Sequence, residues 1–260
     1  MKVTILGVRG SIPTDGADFL EYGGATSCIL VQEGDREIYL DAGSGLLSAP
    51  ETKDAKVSIL LSHTHIDHIL GLPLSPLLLS GQSIDLYCKA RDGLTAAEQI
   101  GRLMSPPLWP VGPELYASAL RIHDLTFPLS VGKIKVTGME SNHPGGSTIF
   151  RLESEGHSLV YATDYEHSPE KQAELMEFSR GTDLLLYDAQ YTEEEYGRMR
   201  GFGHSTVKQG LYVFEKCEAK RLLFVHHDPR HSDAFLRTME QELTDPRTAF
   251  ARAGMKIELN

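Results

Sequence analysis

The sequence has little cysteine, no long apolar run and no excess of positive charge, and each shortage excludes a class of protein. Its three cysteines are isolated and form no Cys-x-x-Cys pair, so we expect free thiols and not a disulfide framework. The longest apolar stretch, from about Ile69 to Leu79, is interrupted by glycine and proline, so no segment is expected to span a membrane. Acidic residues outnumber basic ones by 36 to 25, and the resulting net charge of −11 argues against non-specific nucleic-acid binding.

The length of 260 residues and the hydrophobic fraction of 41% are ordinary for a globular protein and predict one α/β domain over residues 1–260. Residues 1–7 are typical of a first β-strand and lack the long apolar core and cleavage site of a signal peptide. We therefore expect a cytoplasmic protein without a membrane partner.

Metal-binding side chains follow several predicted strands. The run His63-Thr64-His65-Ile66-Asp67-His68 comes directly after the buried strand Val57–Leu61. The same placement recurs at three further strand ends, before His143, Asp164 and His226. Imidazole nitrogen and carboxylate oxygen are preferred ligands for zinc, iron and manganese. Because the run alone offers more ligands than one open catalytic zinc uses, the pattern suggests two metals.

The chain changes character after about residue 163. Before that point short strands and hairpins dominate, and after it helices alternate with strands. We predict helices over about 93–104, 169–178 and 206–215, and a charged helix from about Ser232 that is interrupted near Pro246. Strands that end in ligand-bearing loops are where α/β proteins place their active sites.

These residues resemble the metallo-β-lactamase fold superfamily, whose H-x-H-x-D-H signature stands here as residues 63–68. The resemblance covers nearly the whole chain and implies an αββα four-layer sandwich, in which two mixed β-sheets pack face to face with helices outside. It also implies a dinuclear site. One metal would be held by His63, His65 and His143, the other by Asp67, His68 and His226, with Asp164 as the bridge. His227 is the alternative to His226.

Two features favour the phosphodiesterase branch of that superfamily. Residues 201–206, Gly-Phe-Gly-His-Ser-Thr, resemble the Gly-His-Ser-Thr loop of tRNase Z and related phosphodiesterases, and no cysteine replaces a metal ligand. Full tRNase Z enzymes carry a flexible basic arm before the bridging aspartate. The short interval between His143 and Asp164 has no room for such an arm, so tRNA 3′ processing and a nucleic-acid partner are not expected.

The chemistry implied is hydrolysis of a small phosphodiester, with a cyclic nucleotide or a related cyclic phosphate as a candidate substrate. Two metals held close together can share a water molecule and lower its pKa toward neutrality, and the resulting hydroxide attacks phosphorus. Zinc is the metal we expect, and manganese and iron use the same nitrogen and oxygen ligands. We assign catalytic roles to Asp67, which can orient the hydroxide, and to His204, which can protonate the leaving oxygen. The alternative for His204 is a structural histidine at a helix start.

Other interpretations stay open at this point. A thioester or lactone hydrolase and an iron-dependent oxidoreductase would use the same ligands, and a binding protein that has lost its metals is a third class. Asp41 and Asp188 are either partners of the site histidines or turn and capping residues. The proline-rich segment Ser105–Pro113 is either a pocket wall or lid, or surface packing. A homodimer is expected from the resemblance only.

Overall fold

The computed structural model describes residues 1–51, 55–116 and 119–259 and consists of two mixed β-sheets. The first sheet has the strand order β14-β1-β2-β3-β4-β5-β6. Its strands are β1 (Lys2–Gly7), β2 (Cys28–Glu33), β3 (Arg36–Leu40), β4 (Lys56–Leu61), β5 (Ile84–Cys88), β6 (Leu120–Asp124) and β14 (Lys256–Glu258). The chain thus returns at its end to the sheet in which it began.

The second sheet has the strand order β13-β12-β11-β10-β9-β8-β7. Its strands are β7 (Leu129–Val131), β8 (Ile134–Glu140), β9 (Thr148–Ser154), β10 (His157–Ala162), β11 (Leu184–Asp188), β12 (Leu222–Val225) and β13 (Thr248–Phe250). Both sheets share one pairing pattern, because three antiparallel pairings are followed by three parallel ones in each. The antiparallel half gives way to the parallel half at β3 and at β10.

Helices connect the parallel strands and cover the outer faces. They are α1 (Ile66–Ile69), α2 (Pro76–Leu79), α3 (Ala96–Leu103), α4 (Pro169–Phe178), α5 (Glu193–Arg198), α6 (Val207–Cys217) and α7 (Asp233–Gln241). The prediction placed the start of α3 at residue 93, which was too early, because Thr95 forms a capping box with Glu98. The predicted start of the last helix near Ser232 is confirmed, but the prediction extended this helix too far. This helix ends at Gln241, and the residues after Pro246 form β13.

The core has three apolar layers, as an αββα sandwich requires. One cluster joins side chains of both sheets and so lies between them, for example Ile38 of β3 with Leu186 of β11. A second cluster packs the outer face of the first sheet against α3 through Ile100, and a third packs the second sheet against α6 through Val213. Neighbours on β11 alternate between layers, since Leu184 faces the inner cluster and Leu185 the outer one. The predicted fold class is confirmed.

The ends of the parallel strands carry residues in an unusual backbone conformation. Asp41, Asp164 and His226, which follow β3, β10 and β12, have φ values of +62°, +51° and +62°. A left-handed conformation is costly for residues other than glycine, so it marks places where the chain turns sharply to aim a side chain. No helix among the described residues has the length and apolar character needed to cross a membrane. The single domain over residues 1–260 stays a prediction.

Candidate metal centre

The candidate ligands come together at one edge of the sandwich, although they are spread from residue 63 to residue 226. Two groups have their ligand atoms within 4.8 Å of one another: His63 with His65 and His143, and Asp67 with His68 and His226. Asp164 lies between these groups, within the same distance of His63 and His68. The structure therefore brings together every residue that the sequence predicted as a ligand.

The first group surrounds one oxygen of the Asp164 carboxylate. His63 Nε2 and His143 Nε2 each lie 3.7 Å from Asp164 Oδ1. His65 Nδ1 lies 3.1 Å from His143 Nε2. Two imidazole nitrogens that point at each other and at a carboxylate oxygen form a pocket of lone pairs, which suits a cation. His65 is the exposed member of this group.

The second group surrounds the other oxygen of the same carboxylate. Asp164 Oδ2 lies 3.1 Å from His68 Nε2 and 3.4 Å from His226 Nε2. Asp67 Oδ2 lies 3.2 Å from each of these two nitrogens. Because each Asp164 oxygen faces a different group, this carboxylate has the geometry that a bridge between two cations needs.

The residues fit divalent metal ions in two independent respects. His63 Nε2 is buried and has no hydrogen-bond partner, and such an orphaned atom is rare unless something else binds it. The site also favours positive charge. Burial lowers the pKa of His226, but Asp164, Asp67 and Asp188 outweigh it and raise that pKa to about 9. A metal cation bound among these carboxylates would supply the positive charge that protonated histidine otherwise supplies.

Asp41 holds His68 in place from behind. Its Oδ2 accepts a hydrogen bond from His68 Nδ1 at 2.7 Å and another from the Tyr161 hydroxyl at 2.9 Å, which crosses from the second sheet. The backbone N–H and hydroxyl of Ser62 also bind this carboxylate, at 2.7 and 3.0 Å. With its Nδ1 proton committed to Asp41, His68 presents a free Nε2 lone pair to the centre. Asp41 is therefore a partner of a site histidine.

The structure brings His226 into the centre and directs His227 elsewhere. His226 Nδ1 donates to Gln190 Oε1 at 2.9 Å, which leaves Nε2 toward Asp67 and Asp164. His227 Nε2 donates to the carbonyl of Ala251 at 2.9 Å instead. Burial lowers the pKa of His227 to about 3, so it is a neutral, structural histidine. Gln190 was missed at the sequence level because an amide two residues after a strand has no distinctive pattern.

His204 stands beside the centre and is oriented by Asp188. Its Nδ1 donates to Asp188 Oδ2 at 2.8 Å, and its ring stacks on that of His226 with 4.8 Å between centroids. The next helix is capped by Thr206, so His204 is not the helix-start residue of the alternative interpretation. Its Nε2 is left without a hydrogen bond to the described residues and is available for proton transfer.

Two further residues that the sequence did not reveal hold the loops of the site. The carboxylate of Glu166 accepts the backbone N–H groups of Gly201 and Gly203, at 2.8 and 2.9 Å. The carbonyl of Gly203 in turn accepts a hydrogen bond from His143 Nδ1 at 3.1 Å. On the opposite side, the N–H of Ser11 donates to Asp67 Oδ2 at 2.7 Å. These contacts depend on tertiary structure. The only signal in the sequence was the position of Glu166, two residues after the candidate bridge Asp164.

The segment Ser105–Pro113 serves two purposes. Trp109 packs against the apolar cluster on the outer face of the first sheet, which is the packing role. Leu108 is 71% exposed and lines a cavity together with Thr64 and Ile66, neighbours of the candidate ligand His65. The packing interpretation is thus confirmed for Trp109, and a role of the segment as the wall of a substrate pocket stays a prediction.

Comparison with known proteins places these features in a family. A family model described as a beta-lactamase superfamily domain matches residues 36–227, a range that contains every candidate ligand. The chain is similar to the probable metallo-hydrolase YhfI of Bacillus subtilis, with 26% identity over 238 residues, 87% of this chain and 86% of that protein. The crystal structure of YhfI superposes with a TM-score of 0.76 and covers 98% of each chain.

Two other relatives carry different activities in their names. Ribonuclease Z of Porphyromonas gingivalis is 24% identical over 252 residues, which cover 78% of this chain and 82% of that protein. The crystal structure of a diphosphatase from the PhnP family superposes with a TM-score of 0.72 at 21% identity, covering 100% of this chain and 98% of the other. At such low identity the structural match shows a shared fold, and the activity must be argued from the site.

Proposed function

Because the chain belongs to the beta-lactamase superfamily, we propose that it is a metal-dependent hydrolase whose substrate is a small phosphodiester. The observation that carries this proposal is the Asp164 carboxylate, which shares its two oxygens between two groups of nitrogen and oxygen ligands. The second support is His204, an oriented imidazole at the edge of those groups. A pair of cations with an adjacent proton donor is the arrangement that phosphodiester cleavage needs.

The proposed cofactors are two divalent metal ions, with zinc as the first choice. His63, His65 and His143 would hold one ion, Asp67, His68 and His226 the other, and Asp164 would contact both. When bound, such ions lower the pKa of water and neutralise negative charge on a phosphoryl group. Nitrogen and oxygen ligands alone do not separate zinc from manganese or iron, so metal identity is part of the test.

The chain's own residues would perform the proton transfers. Asp67 is held by the Ser11 N–H on the same oxygen that faces His68, which fixes its carboxylate in one orientation. This carboxylate can accept a hydrogen bond from the attacking water and align it. Since Asp188 accepts a hydrogen bond from His204 Nδ1–H, Nε2 faces the site, and a proton carried there can pass to the leaving oxygen. Asp67 and His204 are therefore the proposed catalytic residues.

The size of the substrate is inferred from what stands between His143 and Asp164. This interval consists of one loop and the hairpin of β9 and β10, without an arm that could embrace a large RNA. The alignment with the Porphyromonas enzyme takes up 252 positions but only 78% of this chain, so that ribonuclease carries residues with no counterpart here. The net charge of −11 also disfavours a polyanionic macromolecule.

Hydrolysis of bis(p-nitrophenyl) phosphate tests the proposal. Protein stripped of metal would be reconstituted separately with zinc, manganese and iron, and release of p-nitrophenol would be followed. We expect metal-dependent turnover that is absent from the Asp164→Asn variant. A protein that binds two ions per chain and hydrolyses no phosphodiester with any of the three metals would refute phosphodiesterase function and direct attention to thioesters, lactones and oxygen consumption.

RNA processing is the second candidate, because several curated relatives are named ribonuclease Z. A precursor tRNA with a 3′ trailer, incubated with the metal-loaded protein, separates the two. We expect no cleavage of the precursor tRNA by a preparation that rapidly hydrolyses the small diester. Efficient cleavage at the trailer junction would replace the small-substrate proposal with this one. Cytoplasmic location and a homodimer stay predictions.

A further inference from the structure

A cavity of about 320 Å³ lies beside the exposed side of the candidate metal centre. It includes Thr64 and Ile66, which flank His65, the exposed ligand. Its opposite wall is formed by α3 and by Leu108 of the proline-rich segment. The volume is that of a pocket for a small molecule or for part of one. Its position predicts that a substrate at the metal centre extends into it.

Arg102 of α3 lines this cavity with a free guanidinium group. Its side chain makes no hydrogen bond or ion pair with the described part of the chain, although, beside hydrogen bonds from Thr95, its charge helps to lower the pKa of Glu98. Glu98, one helical turn earlier, has its carboxylate bound to the N–H and hydroxyl of Thr95. Asp92 is the one carboxylate among the residues found to line the cavity. A guanidinium whose N–H groups bind no acceptor in the protein keeps its fork of donors for a ligand.

The wall that carries Arg102 is rigidly connected to the metal-binding run. Gln99, which precedes Arg102 by one turn of α3, accepts a hydrogen bond from the Thr64 hydroxyl at 3.0 Å and donates to the Lys89 carbonyl at 2.9 Å. Arg91 completes the polar side, and its guanidinium is held by Glu140 and Thr148 at 2.9 and 2.8 Å. A binding group on such a supported wall keeps a constant distance from the ligands.

We propose that this cavity binds a second phosphate group of the substrate, with Arg102 as the residue that recognises it. The substrate class is then a small phosphodiester that carries a further phosphate, and this inference rests on the proposed function. Arginine suits the task because its planar fork matches two phosphate oxygens. The apolar lining residues would contact the organic part that links the two phosphates. These residues are Ile66, Ile69, Leu94, Leu103 and Leu108.

The test compares two ligands that differ by one phosphate. Isothermal titration calorimetry would measure binding of thymidine 3′,5′-bisphosphate and of thymidine 5′-monophosphate to the zinc-loaded protein. We expect the bisphosphate to bind at least about ten-fold more tightly, which equals roughly 1.4 kcal/mol. In Arg102→Gln the ratio of the two dissociation constants should fall to about one, and Arg102→Lys should restore part of it. Arg180→Gln is the control for loss of one surface charge, because Arg180 is exposed and precedes β11, whereas the candidate ligands follow the strands.

Each outcome decides the inference independently of the hydrolase assay. A wild-type ratio below about three, or a ratio that persists in Arg102→Gln, would overturn it. A ratio that is lost in Arg180→Gln as well would show a general charge effect and would also overturn it. Preference for the bisphosphate without hydrolysis of any diester would support the phosphate-binding pocket and reject the proposed function. Hydrolysis of a diester without preference for the bisphosphate would support the proposed function and reject the phosphate-binding pocket.

Discussion

The two sheets share one pairing pattern but contribute to the metal centre in different ways. The first sheet delivers His63, His65, Asp67 and His68 from the single loop and short helix that follow β4. The second sheet delivers single residues from several strand ends, among them His143, Asp164 and His226. A set that is contiguous in sequence is placed by local geometry, whereas a dispersed set depends on correct pairing of the whole sheet.

The aspartates at corresponding strand ends make the comparison sharper. Asp41 and Asp164 follow the strands at which each sheet changes from antiparallel to parallel pairing, and both have positive φ. Asp164 points its oxygens among the ligand atoms, whereas Asp41 stands one layer behind and binds His68 Nδ1. Aspartates at corresponding strand ends of the two sheets thus have different roles. Asp164 lies among the candidate ligand atoms, and Asp41 orients His68.

Replacing the second-sheet aspartate should have the largest effect. In Asp164→Asn the side chain keeps its shape and tolerates the left-handed conformation, but the shared negative charge is lost. We expect loss of most bound metal and a fall in kcat/KM of about 10³-fold or more. Metal content after dialysis and the rate with bis(p-nitrophenyl) phosphate measure both, and circular dichroism controls for folding. A variant with full metal content and normal rate would show that Asp164 is no ligand.

Substitution of the two orienting aspartates, one in each sheet, should affect different properties, metal affinity in one case and kcat in the other. Asp41→Asn replaces the charged acceptor of His68 Nδ1 by a neutral amide, so we expect metal affinity to fall about 10- to 100-fold. Asp188→Asn replaces the charged acceptor of His204 Nδ1 by a neutral amide, so we expect kcat to fall about 10²-fold while metal content is retained. Titration with a competing chelator and steady-state kinetics separate the two. Equal metal loss in both variants would contradict the division of tasks.

A matched pair of glycines tests how the second-sheet loops support His143. Gly201 and Gly203 have φ values of +90° and +93°, so alanine is strained equally at either position. An added Cβ at Gly203 would lie 2.0 Å from His143 Nδ1, whereas at Gly201 it would meet nothing within 4 Å. We expect Gly201→Ala to lose about 1–2 kcal/mol of stability with little change in kcat/KM. Gly203→Ala should in addition lose activity, and similar kinetics for both would refute the contact.

The smallest effect is expected far from the centre, on the outer polar part of the first sheet. Arg121 binds Asp85 through two hydrogen bonds of 2.8 Å, and this contact and His123 lower the pKa of Asp85 to about 2. Since the folded-state pKa lies below that of the unfolded chain, the stabilisation is present above about pH 4 and is lost as the pH falls through 2. Asp85→Asn should cost under about 1 kcal/mol at pH 7, because solvent screens this exposed pair. Chemical denaturation at pH 7 and pH 2.5 checks that the difference shrinks in acid.

The contrast between the sheets also explains what could be predicted from the sequence. The run from His63 to His68 is visible by itself, and strand ends together with the family resemblance indicated the dispersed ligands. The αββα architecture followed from the same resemblance. Short edge strands such as β7, β13 and β14 were missed, because three residues carry too little alternation to be recognised. Gln190 and Glu166 were missed because their partners are chosen by tertiary contacts.

A contact between the N-terminal loop and His226 means that the candidate centre is completed late in synthesis of the chain. Gly10 lies against the ring of His226, where an added Cβ would come within 2.4 Å, and its N–H binds the carbonyl of His227. The second group of ligands is thus closed by residues that are more than two hundred positions apart. A nascent chain on the ribosome cannot make this contact until residue 226 has emerged. The second group of candidate ligands therefore cannot be complete in a nascent chain that stops before residue 226, whereas the first group needs only the residues up to His143.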